Sequence, residues 1–139
     1  MREAVKPTIL LIDNDLAFIF WLGQALDKSG CEAFPAKSVP DAIKLADELH
    51  LSIDLLIVNC SLLDSADLIS SLRQRWGYVK IIGLAAEEDT PISPEVEWRC
   101  CKPEAIDKIA KAEFLLQIHQ ILGLAPDLGT EIVARRTIV

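Results

Sequence analysis

Short apolar runs alternate along this chain with longer stretches whose apolar positions recur at helical spacing. Thr8 to Ile12 (TILLI) is a continuous apolar run, the pattern of a parallel strand covered on both faces. Asp15 to Ser29 predicts a first helix, stopped at Gly30. Cys31 to Ala36 is a weaker second strand. Ser38, with Asp41 three residues on and Pro40 in the first turn, resembles a capping box and opens a second helix to about Leu49. Ile53 to Val58 predicts a third strand. Asp64 to Trp76, ended by Gly77, predicts a third helix, and Val79 to Leu84 a fourth strand. Glu87 to Glu97 is acidic and holds Pro91 and Pro94, so a fourth helix here is expected to be short or missing. Val96 to Cys101 is a fifth strand. Glu104 to Leu122 predicts a last helix, with Ile106, Ile109, Ala110, Phe114, Ile118, Ile121 and Leu122 at helical spacing and Gly123 as its stop.

Strand–helix repetition of this kind implies a parallel sheet with right-handed crossovers and helices on both faces. Five such units in 139 residues fit an α/β, flavodoxin-like, doubly wound sheet in the order 2-1-3-4-5. Chemistry in such a sheet gathers at the C-terminal ends of the strands. The residues there are Asp13 to Asp15, Asn59 to Ser61, Ala85 with Ala86, and Lys102 with Pro103. We place one domain at residues 1–122 and a tail or linker at 123–139, which is too short for an output domain.

The net charge of −7 argues against a nucleic-acid surface, since phosphate contacts need clustered Lys and Arg. The polar start, with Asp13 breaking the first apolar run, does not read as a signal peptide. No stretch approaches the roughly 18 apolar residues of a membrane helix, so a cytoplasmic location is expected. Cys31, Cys60, Cys100 and Cys101 form no CxxC pair and are read as small buried hydrophobes. Cys100 and Cys101, adjacent in a strand, point to opposite faces. His119 is expected at the surface of the last helix, and His50 at the end of the second.

The runs ILLIDND (9–15), DLLIVNCSLL (54–63), KIIGLAA (80–86) and CKP (101–103), in this order and spacing, resemble the receiver domain of two-component response regulators. The likeness covers about residues 7–122. It implies a CheY-like fold and a phosphoryl-transfer site. In that family an acidic pair after strand 1 holds Mg²⁺, an aspartate ending strand 3 takes the phosphoryl group, and a Ser or Thr ending strand 4 and a Lys before Pro contact its oxygens. This chain departs at three of these positions. Asn59 stands at the phosphoacceptor, Asn14 at the second acid, and Ala85 at the hydroxyl. Leu63 replaces the usual loop proline, and Arg99 a frequent strand-5 aromatic. Asp13, Lys102 and Pro103 remain, and Asp15 adds a third acidic position. A carboxamide is a poor nucleophile, and amides in place of acids weaken a magnesium site. The expectation is therefore a pseudo-receiver with no metal, or weak Mg²⁺ at Asp13. In it Lys102 pairs with Asp13 and hydrogen-bonds the Asn59 oxygen.

Such a domain would act by binding a signalling partner: a histidine kinase, an output domain, another receiver or a second copy. Phe18, Leu22, Ala25 and Leu26 form the buried face of the first helix, leaving Phe20 opposite, beside Gly23 and Asp27; Phe20 and Trp21 are the candidate partner surface. Alternatively the C-terminal tail covers this stripe, and Asp13 and Asp15 simply cap the helix. Two rival functions stay open. One is a receiver phosphorylated at a non-standard aspartate, Asp13 or Asp64. The other is a small flavodoxin-like ligand-binding domain or enzyme, for which no Gly-rich phosphate loop or nucleophile–base pair speaks.

Overall fold

A computed structural model of the chain describes residues 6–85 and 94–123. Five strands, β1 (Thr8–Ile12), β2 (Glu32–Ala36), β3 (Leu55–Asn59), β4 (Lys80–Ala85) and β5 (Trp98–Cys101), form one sheet in the order β2-β1-β3-β4-β5. Every pairing is parallel. The helices are α1 (Leu16–Lys28), α2 (Val39–Leu49), α3 (Ser65–Arg75) and α4 (Lys108–Ile121). Most of the segment expected to hold a short or missing helix, residues 86–93, lies outside the described residues, as does the tail from 124 onward. Residues 94–97 are not helical.

The chain divides into two compact units, Met1–Lys102 and Pro103–Val139. The first holds the sheet. Its inner strands β1 and β3 are buried on both faces, which is why their sequences read as unbroken apolar runs. Leu10, Ile12, Leu56, Val58 and Ile81 pack with Ala42 of α2 and Leu68, Ile69 and Leu72 of α3 on one face. The alternate residue Leu11 faces the other way, toward Gly23 of α1. Fully burying one such Leu or Ile stabilises the fold by about 1.5–3 kcal/mol.

Local chemistry sets the helix ends. Asp15 caps α1, its Oδ1 accepting from Phe18 N at 3.2 Å. Ser38 Oγ accepts from Asp41 N at 3.3 Å, with Pro40 in the first turn of α2. Gly30 follows α1 at φ 90°, in the left-handed region that only glycine enters at no steric cost. At Gly83 the reason for glycine is space. A Cβ there would lie 2.9 Å from Cys60 Sγ and 3.0 Å from Val96 Cγ1, inside normal non-bonded contact.

Several side-chain expectations need correction. Gly23, one turn from exposed Phe20, is itself buried, because α1 lies close over Leu11 at that turn. Cys101 is exposed, while Cys31 and Cys100 are buried; the strand alternation that buries Cys100 turns its neighbour outward. Burial pushes the Cys31 thiol up, aided by nearby Asp27, and pushes Cys60 up against an opposing pull from Arg99. Raised thiols stay protonated and unreactive near neutral pH.

The second unit, taken by itself, begins its helix later than Glu104. Asp107 is extended and its Oδ1 accepts from Ala110 N at 2.9 Å, so α4 starts at Lys108. Ile106 therefore precedes the helix and is 87% exposed, and Ile109 is exposed too. His119, expected at the surface, is buried at 6% exposure, next to the buried Ile118 and Ile121. Its Nε2 has no hydrogen-bond partner among the described residues. Burial holds the imidazole below its usual range, against a backbone hydrogen bond with Leu115 that acts the other way.

A depressed histidine gives a definite pH dependence. The unfolded chain takes up the proton near the ordinary value of about 6.5, while the folded chain resists it. This contribution to stability is intact above that pH and is lost as pH falls toward the folded value. Thermal melts should show a lower midpoint at about pH 5 than at about pH 7.5, and His119→Leu should flatten that difference. An undiminished slope in the variant would refute the assignment.

Candidate functional site

The C-terminal ends of β1, β3 and β4, together with Lys102 just past β5, bring the sequence-selected residues of the first unit together. Asp13 follows β1 and is 1% exposed. It is not left as a bare buried charge. Its Oδ1 accepts from Asp15 N at 3.0 Å and from Asn59 Nδ2 at 3.2 Å, and its Oδ2 accepts from Lys102 Nζ at 3.0 Å. Burying a carboxylate is costly unless its oxygens are hydrogen-bonded and it is paired with a cation, as here.

Asn59 ends β3. Its Oδ1 accepts from Ser61 N at 2.8 Å, the two-residue side-chain turn that asparagine favours where a strand gives way to a loop. Its Nδ2 then faces Asp13. Flipping the amide would set oxygen against oxygen and nitrogen against an N–H, so the network fixes its orientation. The expected bond from Lys102 to the Asn59 oxygen is therefore not made. That oxygen belongs to Ser61, and Lys102 turns to carboxylates, which reward an ammonium more than a carboxamide does.

Lys102 Nζ also lies 3.5 Å from Asp15 Oδ2 and 5.1 Å from the centre of the Phe18 ring. The ring face adds a weak cation–π attraction to the pull of the acids. Asp15 both caps α1 and faces Lys102, so its capping and pocket readings hold together. Asn14 is exposed and Ala85 is buried at the end of β4, paired in register with Cys101. Pro103 opens the second unit. Phe18 is the participant not singled out for this pocket from sequence, while Ser61 is placed at the strand end without its backbone amide being given a role. The tendency of asparagine to bond the amide two residues on could have revealed that role.

The receiver resemblance implies magnesium here, and the donor set does not fit it. Mg²⁺ needs octahedral oxygen ligands at about 2.0–2.1 Å. Asp13 already has donors on both oxygens, Asn59 presents nitrogen to the pocket, and a lysine ammonium stands between the two acids. Among the described residues no group of three or more His, Cys, Asp or Glu could hold a metal.

Away from this pocket, Phe20 is 66% exposed and Leu16, one turn earlier, is exposed on the same face of α1. Trp21 is half-buried and its ring centre lies 6.0 Å from that of Phe18. An open groove of about 430 Å³ runs beside Leu16, lined also by Ile19, Pro35, Leu45 and the charged Lys37, Asp41, Lys44 and Glu48. Leu63, in the loop after β3, is 85% exposed. No described helix is long and apolar enough to cross a membrane.

No protein-family model matches the chain. No curated protein matches it by sequence. Solved structures do. The signal receiver domain of an HD domain-containing protein from Pseudomonas fluorescens Pf-5 aligns with a TM-score of 0.70 at 22% identity, covering 88% of this chain and 91% of that one. The response regulator TrrA of Thermotoga maritima, in complex with Mg²⁺-BeF, aligns at 0.60 and 19%, covering 78% and 97%. The chemotaxis response regulator CheY4 of Vibrio cholerae aligns at 0.65 and 15%, covering 82% and 99%. With its strand order and parallel pairing, this chain has the CheY-like, flavodoxin-like fold of response regulator receiver domains.

Proposed function

We propose that the chain is an atypical receiver domain in two-component-type signalling, acting by protein–protein interaction without phosphorylation on aspartate. The observation that carries this is Asn59. A carboxamide stands at the end of β3 where the receiver pattern needs a nucleophilic carboxylate, and it is engaged on both sides by Asp13 and Ser61. An amide cannot form an acyl phosphate by carboxylate attack. Ala85 offers no hydroxyl to a phosphoryl oxygen.

The rival aspartates are poorly placed for the role. Asp13 is buried with its lone pairs engaged. Asp64 is exposed at the start of α3, five residues beyond the end of β3 where the receiver pattern puts the acceptor. The likeness of fold to signalling domains favours a binding module over an enzyme. Exposed Phe20, with Leu16 and half-buried Trp21 beside it, is the surface offered to a kinase, an output domain, another receiver or a second copy.

The test is intact-protein mass spectrometry after incubation with acetyl phosphate and Mg²⁺. The native chain is expected to show no phosphoryl adduct. Asn59→Asp is expected to stay unlabelled as well, because Asn14 and Ala85 still deny the site a second acid and a hydroxyl. A stoichiometric adduct on the native chain would overturn the reading.

A further inference from the structure

Asp13 and Asp15 converge on one point, and the chain fills that point with its own cation. Lys102 Nζ lies 3.0 Å from Asp13 Oδ2 and 3.5 Å from Asp15 Oδ2. Its side chain is one-quarter exposed, so the ammonium sits at the mouth of the pocket rather than out in solvent. The backbone carries it there. β5 pairs with β4 up to Cys101, and Lys102 is the next residue.

We propose that Lys102 is the resident cation of this pocket, a tethered substitute that makes the site indifferent to magnesium and other divalent ions. The proposal rests on the reading of the chain as a receiver domain that is not phosphorylated, and it names how that site is kept in one state. A tethered ammonium competes with a free ion at high effective concentration and needs no search through solution. Mg²⁺ dehydrates reluctantly and must place oxygens on all sides. Here it would have to expel the ammonium, break its bond to Asp13 and share the pocket with a like charge. The two carboxylates and one ammonium leave a single net negative charge. The carboxamides of Asn14 and Asn59 add none, so nothing compensates a divalent ion for that displacement.

Removing the tethered charge should expose a latent cation site. Lys102→Met keeps much of the stem and deletes the ammonium, leaving two carboxylates facing an unfilled point. In thermal melts across Mg²⁺ and Mn²⁺ titrations, the native chain is expected to show no saturable shift. Lys102→Met is expected to gain one, half-saturated at an ion concentration at least about tenfold below the highest at which the native chain stays unresponsive. Lys102→Arg, which keeps the charge, should remain indifferent, and Asp13→Asn combined with Lys102→Met should lose the gain.

A second measurement needs no variant. Mn²⁺ added to the native chain should leave the Asp13, Asp15 and Asn59 amide signals unbroadened in a heteronuclear NMR spectrum. Selective broadening there, or a Lys102→Met protein that folds and responds no better than native, overturns the proposal. Either result leaves the reading of an unphosphorylated receiver standing, because that reading is decided by the mass-spectrometric test. Conversely, a phosphoryl adduct formed on the native chain would overturn the functional reading while the manganese result still decides the role of Lys102.

Discussion

Replacing Asp13 with alanine should lower the melting temperature by about 10 °C, from a stability loss of about 2–3 kcal/mol. The carboxylate accepts from three donors: Lys102 Nζ, Asn59 Nδ2 and the Asp15 amide. Alanine removes every acceptor at once and leaves a small void. Breaking a fully buried ion pair costs about 3–5 kcal/mol, because the surviving charge is stranded. Lys102 is partly exposed and keeps Asp15 and the Phe18 ring, so the expected loss sits below that range. Asp13→Asn preserves an oxygen for the Asn59 and Asp15 donors and should cost roughly half as much. Differential scanning calorimetry would rank the two. An Asp13→Ala protein melting within about 2 °C of native would show that the network contributes little to stability.

Arg73→Ala should cost about 2–3 kcal/mol, although the residue is only a charged position near the end of α3. Its guanidinium donates to the Gly77 carbonyl at 3.2 Å, the Val79 carbonyl at 2.6 Å, the Glu95 carbonyl at 3.3 Å and Glu97 Oε1 at 3.1 Å. Glu97 Oε1 also accepts from Ile81 N at 3.2 Å. One fork thus ties the end of α3 to the start of β4 and to the segment leading into β5. The Arg73–Glu97 ion pair is partly exposed and would by itself be worth at most about 1 kcal/mol. The larger share comes from backbone carbonyls that lose their donor. Arg73→Lys keeps the charge but lacks the fork, so urea denaturation should find it much closer to alanine than to native. If lysine restores native stability, charge rather than geometry matters here.

How far the fold was legible varied with the kind of signal. β1 spans the expected TILLI run residue for residue, because a strand buried on both faces shows as continuous apolarity. Ser38, Pro40 and Asp41 marked the start of α2 through chemistry local to four residues. β3 was misjudged at its start. Ile53 is buried but precedes the strand, since Asp54 uses its own carboxylate and amide to bond the Thr8 backbone before regular pairing begins at Leu55. Apolarity reports burial, not hydrogen-bond register. The last helix was expected where it lies, but its start was misplaced for a related reason. Ile106 continued the helical spacing, yet Asp107 captured the Ala110 amide and started the helix after it. His119 reads as polar by residue type, but its place beside Ile118 put it inside.

At the site, residue types alone carry the proposed reading of a receiver that is not phosphorylated. Asn59 and Asn14 carry no carboxylate and Ala85 no hydroxyl whatever their surroundings, because functional groups are properties of side chains and not of folds. The strand–helix alternation likewise implied a parallel sheet, since buried strands and amphipathic helices have few ways to cover one another, and five units in this length fitted the order 2-1-3-4-5. Tertiary structure decided which groups satisfy which. Asn59 gave its oxygen to Ser61 and its nitrogen to Asp13, and Lys102, 89 residues from Asp13, settled between two acids and over an aromatic ring. Pairings at that separation depend on sheet register and on competition among donors for the same lone pairs, and neither is written in local sequence.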